Sequence, residues 1–102
     1  MTNKDKFLNL LGLATKAGKL VSGDETTLKA IKAQKVNLVI VATDASEATI
    51  KKFNDKCSYY ETSILVTCTK AELSHAIGKS RAIIGVSDNG FSRKMRELMK
   101  EE

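Results

Sequence analysis

The chain has 102 residues, of which 42% are hydrophobic and 28% are charged, and its formal net charge is +5 at pH 7. This length suits one domain with a hydrophobic core, and the composition excludes an intrinsically disordered protein. The sequence contains no apolar run near the roughly 18 residues of a membrane span and no signal-peptide core, so we expect a cytoplasmic protein without a membrane partner. Its positive net charge favours an anionic binding partner.

The first third of the chain alternates helical patterns with a short strand. Apolar residues at helical spacing predict a first helix over residues 4–17, with Gly18 as the residue that ends it. A short strand at Leu20 and Val21 precedes a second helix over residues 23–34. Ser22, followed three residues later by Glu25, has the pattern of a capping box, and we assign the start of the second helix to it.

The same alternation continues to residue 99. A nearly continuous β-branched run over residues 36–42 predicts a strand buried on both faces, which requires helices on either side. The next helix, which Asp44 and Ser46 compete to cap, extends to residues 59–60, and a strand follows over residues 63–68. A capping box of Thr69 and Glu72 opens a short helix that ends at Gly78, before a strand over residues 82–86 and a last helix over residues 91–99. These elements predict an α/β fold, a single-domain three-layer α/β/α sandwich with a central four-stranded mixed sheet.

In such sandwiches, function is concentrated in the loops at one end of the sheet. Three segments are candidates: the start of the second helix at Gly23, residues 43–46 after the central strand over residues 36–42, and residues 78–81 before the last strand. The unpaired N–H groups of a helix start suit an electron-rich ligand. Basic residues that we expect to flank these segments are Lys16, Lys19, Lys29, Lys70, Lys79 and Arg81.

Several short motifs together resemble one known family. They are Gly-Leu-Ala-Thr-Lys-Ala-Gly-Lys-Leu-Val-Ser-Gly at residues 12–23, Thr-Leu-Lys at residues 27–29, the strand exit at residues 39–44, and Lys70 with Gly-x-Ser-Arg at residues 78–81. The chain resembles the kink-turn-binding ribosomal proteins of the L7Ae and L30e types, and within them the small bacterial members, over residues 7–95. The resemblance implies one RNA-binding domain over residues 1–102. It also implies that this domain grips a sharply bent RNA, a kink-turn or a ribosomal RNA internal loop, which contains tandem sheared G·A pairs.

The resemblance carries the family's Gly-x-Asn-Glu-x-x-Lys signature onto residues 23–29, where Gly23 and Lys29 match. Glu25 and Thr26 stand in place of the Asn-Glu pair, which moves the carboxylate by roughly 100° around the helix. Glu25 could accept hydrogen bonds from guanine N1 or N2, and Lys29 could donate to guanine O6 or N7. The alternative is that Glu25 only closes the capping box and Lys29 is a solvated lysine.

The remaining contact positions implied by the resemblance lie further along the chain. Ser46 occupies a position that is often acidic in the family, Ile50 keeps an apolar contact, and Lys70 matches a family lysine. In the last loop Arg81 matches, whereas Lys79 replaces a frequent apolar residue that packs against an extruded nucleotide. The implied RNA-binding residues are Gly23, Asp24, Glu25, Thr26, Lys29, Ser46, Ile50, Lys70, Lys79, Ser80 and Arg81.

Other chemistries have weaker patterns. Residues 78–81 are similar in part to a phosphate-binding loop, but the Walker pattern requires glycine at the position of Leu73. His75 forms no recognisable catalytic arrangement with a nucleophile. The spacing of Cys57 and Cys68 fits no zinc motif, so we interpret these two cysteines as core thiols. We therefore expect a monomeric, non-enzymatic RNA-binding protein that uses no cofactor and no metal, with a small α/β enzyme or a protein-interaction adaptor as alternatives.

Overall fold

The structure, a computed structural model, describes residues 1–100. Helices and strands alternate along these residues in the predicted order. The elements are α1 (Asn3–Lys16), β1 (Leu20–Ser22), α2 (Asp24–Lys32), β2 (Leu38–Val41), α3 (Glu47–Tyr59), β3 (Ser63–Val66), α4 (Lys70–Ile77), β4 (Ile83–Val86) and α5 (Asn89–Lys100). Within the described residues, no helix is both long enough and apolar enough to cross a membrane.

The four strands form one sheet in the order β1-β4-β2-β3. β2 and β3 are parallel, with Leu38 opposite Ser63, whereas β4 is antiparallel to both β1 and β2. Val86, the last residue of β4, is therefore opposite Leu20 of β1 on one side and Leu38 of β2 on the other. The predicted four-stranded mixed sheet is confirmed.

Helices cover both faces of this sheet. One face packs against α1, α4 and α5 in a core that includes Leu11, Leu73 and Met95. The other face packs against α2 and α3, where Ile31 and Phe53 are buried. Every residue of β2 and β4 is buried, and successive residues of β2 belong alternately to the two cores. The three-layer sandwich and the strand buried on both faces are confirmed, and both follow from the burial of apolar surface.

Local capping explains where α3 and α4 begin. The hydroxyl of Thr69 accepts a hydrogen bond from the N–H of Glu72 at 3.2 Å, and the Glu72 carboxylate accepts one from the N–H of Thr69 at 2.8 Å. The capping box predicted for α4 is thus confirmed. At α3, Ser46 is the N-cap, and its hydroxyl oxygen accepts the N–H of Thr49 at 3.1 Å. Asp44, the competing candidate, serves another contact described below.

The capping box predicted at Ser22 and Glu25 is wrong. Ser22 is the last residue of β1, opposite Ile84, and its pairing with β4 keeps the backbone extended. Gly23 is the N-cap of α2, with φ 95° and ψ 156°, and within the described chain no side chain caps this helix. A long-range strand pairing therefore prevails over a local pattern, and the first-turn N–H groups of α2 keep no side-chain acceptor.

Both cysteines are buried, as predicted for core thiols. Cys57 belongs to α3 and packs in the same core as Phe53. Burial raises the pKa of its thiol to about 11. Because the thiolate is the form that reacts and binds metals, this residue is chemically quiet at neutral pH.

Candidate functional site

Four connecting segments meet at one edge of the sheet. β1, β2 and β3 all end there, and antiparallel β4 begins there. The segments are residues 22–24, 42–46, 67–69 and 78–82, and we name this edge the loop edge. Since α2, α3 and α4 each begin at the loop edge, three helix N-termini with positive partial charges lie on it. The predicted convergence of the three candidate segments is confirmed, and a fourth segment joins them.

Backbone hydrogen bonds join the start of β4 to the segments on either side. The N–H of Gly23 donates to the carbonyl of Ile83 at 2.9 Å. The N–H of Ala42 donates to the carbonyl of Ala82, also at 2.9 Å. The start of α2 and the exit of β2 are therefore fixed relative to β4 by main-chain contacts.

The segments after β2 and β3 are joined in a similar way. The N–H and the hydroxyl of Thr43 both donate to the carbonyl of Cys68, at 2.8 and 2.9 Å. Asp44 accepts the N–H of Lys70 at 2.9 Å, so its carboxylate holds the start of α4. Cys68 itself has φ 63°, an uncommon backbone conformation for a residue other than glycine. These contacts hold the loop edge in one arrangement.

The first turn of α2 presents polar side chains to solvent. Asp24, Glu25 and Thr26 are exposed, and so is Lys29, one turn after Glu25. Within the described residues Glu25 and Lys29 form no ion pair, so the carboxylate can accept and the ammonium can donate hydrogen bonds to a ligand. Asp24 is already paired, because Nζ of Lys52 in α3 lies 2.7 Å from its Oδ1.

Arg81 lies against the start of α2. A β-carbon at Gly23 would lie 3.6 Å from Nε of Arg81, so the guanidinium packs over the side of Gly23 where other residues carry a side chain. Nη1 donates to the carbonyl of Ser80 at 2.9 Å, and the Arg81 N–H donates to Oγ of Ser74 at 3.0 Å. Nε is buried and has no hydrogen-bond partner among the described residues. Lys79 and Ser80 are exposed beside it.

Three further predicted residues lie in α3 and α4. Ser46 is occupied as the N-cap of α3, where its hydroxyl also donates to Oγ1 of Thr49 at 2.9 Å. Ile50 is half-buried and packs against the core beneath α3, so it has a structural role in addition to any contact. Lys70 is the first residue of α4, and its side chain is exposed. The structure thus brings all the predicted site residues to the loop edge or within two turns of it.

The prediction that Lys19 flanks the loop edge is wrong. Lys19 precedes β1, and its carbonyl accepts the N–H of Ser87, which follows β4, at 2.9 Å. Because β1 and β4 are antiparallel, this pair lies at the opposite edge of the sheet. Lys16 lies in a groove between α1 and α4 that Glu72 and His75 also line. His75 is exposed there, in agreement with its interpretation as a solvated histidine.

Lys52 is a loop-edge cation that no sequence pattern indicates. Its ammonium pairs with Asp24 of α2 and lies 5.3 Å from the ring centroid of Phe53. The contact joins two helices across 28 positions of sequence, which is why local spacing does not reveal it. A lysine at a mid-helix position otherwise has the pattern of a solvated residue.

The loop edge offers hydrogen-bond donors and positive charge. Lys29, Lys70 and Lys79 are exposed near three helix N-termini, an arrangement that suits an anionic ligand. In the part of the chain that the structure describes, no group of three or more His, Cys, Asp or Glu side chains is placed to hold a metal ion.

Comparisons with known proteins agree with one another. The sequence profile of the ribosomal protein L7Ae/L30e/S12e/Gadd45 family matches residues 5–96. The RNA-binding protein YlxQ of Enterococcus faecium is 47% identical over 98 residues, covering 96% of this chain and 95% of that protein. The RNA-binding protein YlxQ of Bacillus subtilis (strain 168) is 41% identical over 95 residues, covering 92% and 95%. The structure of a protein with unknown function from Bacillus halodurans C superposes with a TM-score of 0.91 at 45% identity, covering 93% of this chain and 97% of that one.

Proposed function

This chain belongs to the ribosomal protein L7Ae/L30e/S12e/Gadd45 family, and on that premise we propose that it is a non-enzymatic protein that binds structured RNA at the loop edge. The RNA that we propose is a kink-turn or a similar internal loop of ribosomal RNA. Two relatives, at 47% and 41% identity, are named for RNA binding and not for a reaction, which supports this function over an enzyme. We also propose that the protein is a monomer and that it acts in the cytoplasm in association with ribosomes.

The observation that carries the proposal is the convergence of three helix N-termini with exposed lysines at one edge. Phosphate oxygens accept hydrogen bonds from first-turn N–H groups and are attracted by the positive end of the helix dipole. The N-cap of α2 has no side-chain hydrogen bond within the described chain, so its first-turn N–H groups are open to such a partner. Lys70 and Lys79 are exposed on either side to contact the phosphates that follow.

Base recognition is assigned to the first two turns of α2. Glu25 is exposed and, since Gly23 occupies the N-cap, it has no capping box to close. Its carboxylate is therefore suited to accept the N1 and N2 hydrogens of a guanine in a sheared G·A pair. Lys29, one turn later, would donate to O6 or N7 of a guanine. Asp24, paired with Lys52, would orient the turn without contacting a base.

Gly23 and Arg81 would define how closely the RNA approaches. At φ 95° and with no β-carbon, Gly23 makes room for the Arg81 side chain against the backbone of this turn. Arg81 packs beside it with Nη1 held by Ser80, which aims the guanidinium along the surface. Lys79 would supply general electrostatic attraction where the family has an apolar contact, so we expect weaker shape selectivity than in relatives with an apolar residue there.

A binding titration tests the proposal. A kink-turn RNA and a matched RNA, in which Watson–Crick pairs replace the sheared G·A pairs, are titrated with the full chain over a salt series. We expect tighter binding of the kink-turn at every salt concentration, with affinity for both RNAs falling steeply between about 50 and 200 mM salt. Equal affinity for the two RNAs would contradict kink-turn recognition. No binding of either RNA by the folded protein would favour the adaptor alternative.

A further inference from the structure

The edge of the sheet opposite the loop edge, which we name the far edge, holds a polar cleft of about 360 Å³. Its lining includes three carboxamides, a hydroxyl, an aromatic ring and a guanidinium, from Gln34, Asn37, Asn89, Ser63, Tyr60 and Arg96. Carboxamides and hydroxyls present donors and acceptors in the combinations that read the edges of unpaired bases. None of these residues belongs to the loop edge.

The helices that end at this cleft keep side chains where glycine is the favoured residue. Gln34 follows α2 with φ 55°, and Glu61 follows α3 with φ 56°. In contrast, the left-handed positions that end α1 and α4 are Gly18 and Gly78. A non-glycine residue in this conformation costs about 1–2 kcal/mol. Gln34 and Glu61 both line the cleft, so two of the three left-handed non-glycine residues in the described chain place a polar side chain in it.

A row of basic side chains on α5 runs beside the cleft. Arg93, Arg96 and Lys100 follow Asn89 at spacings of four, seven and eleven residues, which places them on one side of the helix. All three are exposed. Within the described residues, neither arginine takes part in an ion pair. Their guanidinium groups are therefore available to phosphates.

The aromatic side of the cleft extends onto the surface. Tyr60 lines the cleft, and the ring of Tyr59 meets it edge to face with centroids 4.8 Å apart. Tyr59 is 78% exposed, so the face of its ring is available to a ligand. Exposed rings next to cations provide the stacking platforms on which single-stranded nucleic acids are held.

The charges decide which part of a nucleotide enters the cleft. Glu61 is a carboxylate in the lining, and α2 and α3 both end at this edge with the negative ends of their dipoles. A phosphate beside Glu61 would be repelled, whereas a neutral base with amino groups would find acceptors there. Phosphates would be attracted to Arg96, which lines the α5 side of the cleft, and to Arg93, one turn earlier on the same helix.

From this combination we propose that the far edge is a second RNA-contacting surface, where an unpaired nucleotide places its base in the cleft and its phosphates against α5. The inference rests on the proposed function in that the partner is RNA, but it uses no loop-edge residue. The molecule measures 34 × 26 × 26 Å, so at about 3.4 Å per nucleotide a single-stranded tail of about twelve nucleotides can pass from one edge to the other.

The test compares a blunt kink-turn hairpin, the same hairpin with an unpaired tail of about twelve nucleotides, and the tailed hairpin with its tail paired to a complementary strand. The proteins are the full chain, the double variant R93Q/R96Q, and the control K94Q. Lys94 is exposed on the same helix but away from the row, and the control removes one positive charge where the double variant removes two. The gain from the tail is therefore compared within each protein.

We expect the unpaired tail to tighten binding by the unchanged protein and by K94Q at least about fivefold, the effect of stacking one base. The double variant should bind the blunt hairpin like the control and lose the gain from the tail, and pairing the tail should abolish the gain for all proteins. Equal gains in the double variant and K94Q would overturn the inference. If the blunt hairpin is not bound, the proposed function fails, yet the tail still decides the far edge, because K94Q must prefer the unpaired tail to the paired tail more strongly than R93Q/R96Q does.

A second variant, Gln34→Gly, alters the cleft without destabilising the fold. Gln34→Gly should relieve the left-handed strain and raise the unfolding temperature by roughly 4–8 °C. It should at the same time reduce the gain from the unpaired tail, because a carboxamide is lost from the cleft. A stabilised variant with an unchanged gain would contradict the assignment of the base to this cleft.

Discussion

A β-carbon at Gly23 would lie 3.6 Å from Nε of Arg81. The two residues come from different segments of the loop edge, and the hydrogen bond from the Gly23 N–H to the carbonyl of Ile83 keeps those segments together. The guanidinium of Arg81 thus covers the side of the α2 N-cap where other residues carry a side chain. This pair defines the surface that we propose as the RNA contact.

Gly23→Val should damage both folding and RNA binding. The backbone at Gly23 has φ 95°, which a β-branched residue adopts only under strain, so we expect a loss of about 1–3 kcal/mol in the free energy of unfolding. The branched side chain would also crowd the guanidinium and the RNA. The measurement is urea unfolding together with a titration of the kink-turn RNA.

The matched control for that variant is Gly12→Ala. Gly12 is in α1, where an added β-carbon would meet only the carbonyl oxygen of Ala76 at an ordinary 3.5 Å, and alanine favours helix. This control should keep its RNA affinity and its stability. Normal binding by Gly23→Val would show that the start of α2 is away from the RNA.

Lys79→Val should change the salt dependence of binding. The substitution removes one phosphate-contacting charge, which lowers the log–log salt slope by about one unit, and restores the apolar contact of the family. We expect the variant to bind a kink-turn more weakly than the unchanged protein at low salt and relatively better at high salt. Identical slopes, with no preference for the kink-turn in either protein, would place Lys79 outside the interface.

Glu72 should make stability depend on pH in the acid range. The hydrogen bond from the Lys4 ammonium, and next the one from the Thr69 N–H, lower the pKa of its carboxyl below the ordinary 4.5. The stabilisation is therefore present above pH 4.5 and lost as the pH falls through the lower, folded-state pKa. Glu72→Gln should be less stable at pH 7 and lose less stability on acidification, as measured by urea midpoints at pH 7, 4.5 and 3. Parallel pH curves for the two proteins would contradict this role.

The sequence predicts the elements of this fold well because the signals are local. The capping box at Thr69 and the buried run of β2 each depend on neighbouring residues alone. Ser22 shows the limit, since its cap pattern is overridden by pairing with Ile84 of β4, 62 residues later in the sequence. Lys19 shows a second limit. The edge of the sheet at which it lies depends on the direction of β1, and that direction is fixed by antiparallel pairing with β4.

The contacts within the candidate site depend on tertiary structure. The ion pair of Lys52 with Asp24 joins α3 to α2. The packing of Arg81 against Gly23 joins residues 78–82 to residues 22–24 of the loop edge. The sequence does not predict the left-handed backbone conformation of Gln34 either, because glutamine has no preference for that conformation. The loop edge was therefore predictable, from the loops at one end of the predicted sheet and from the family resemblance, whereas the far edge was not.

Selectivity for the kink-turn, measured in the unchanged protein, in Lys29→Ala and in Lys94→Ala, tests the central claim most directly. Both lysines are exposed, but only Lys29 lies in the helix that we propose reads the bases. The account predicts that Lys29→Ala unfolds at the wild-type temperature, loses about 1–3 kcal/mol of binding free energy on the kink-turn and approaches its affinity for the Watson–Crick control RNA, while Lys94→Ala keeps the selectivity. A Lys29→Ala protein that distinguishes the two RNAs as well as Lys94→Ala does would contradict the loop edge as the RNA-reading surface.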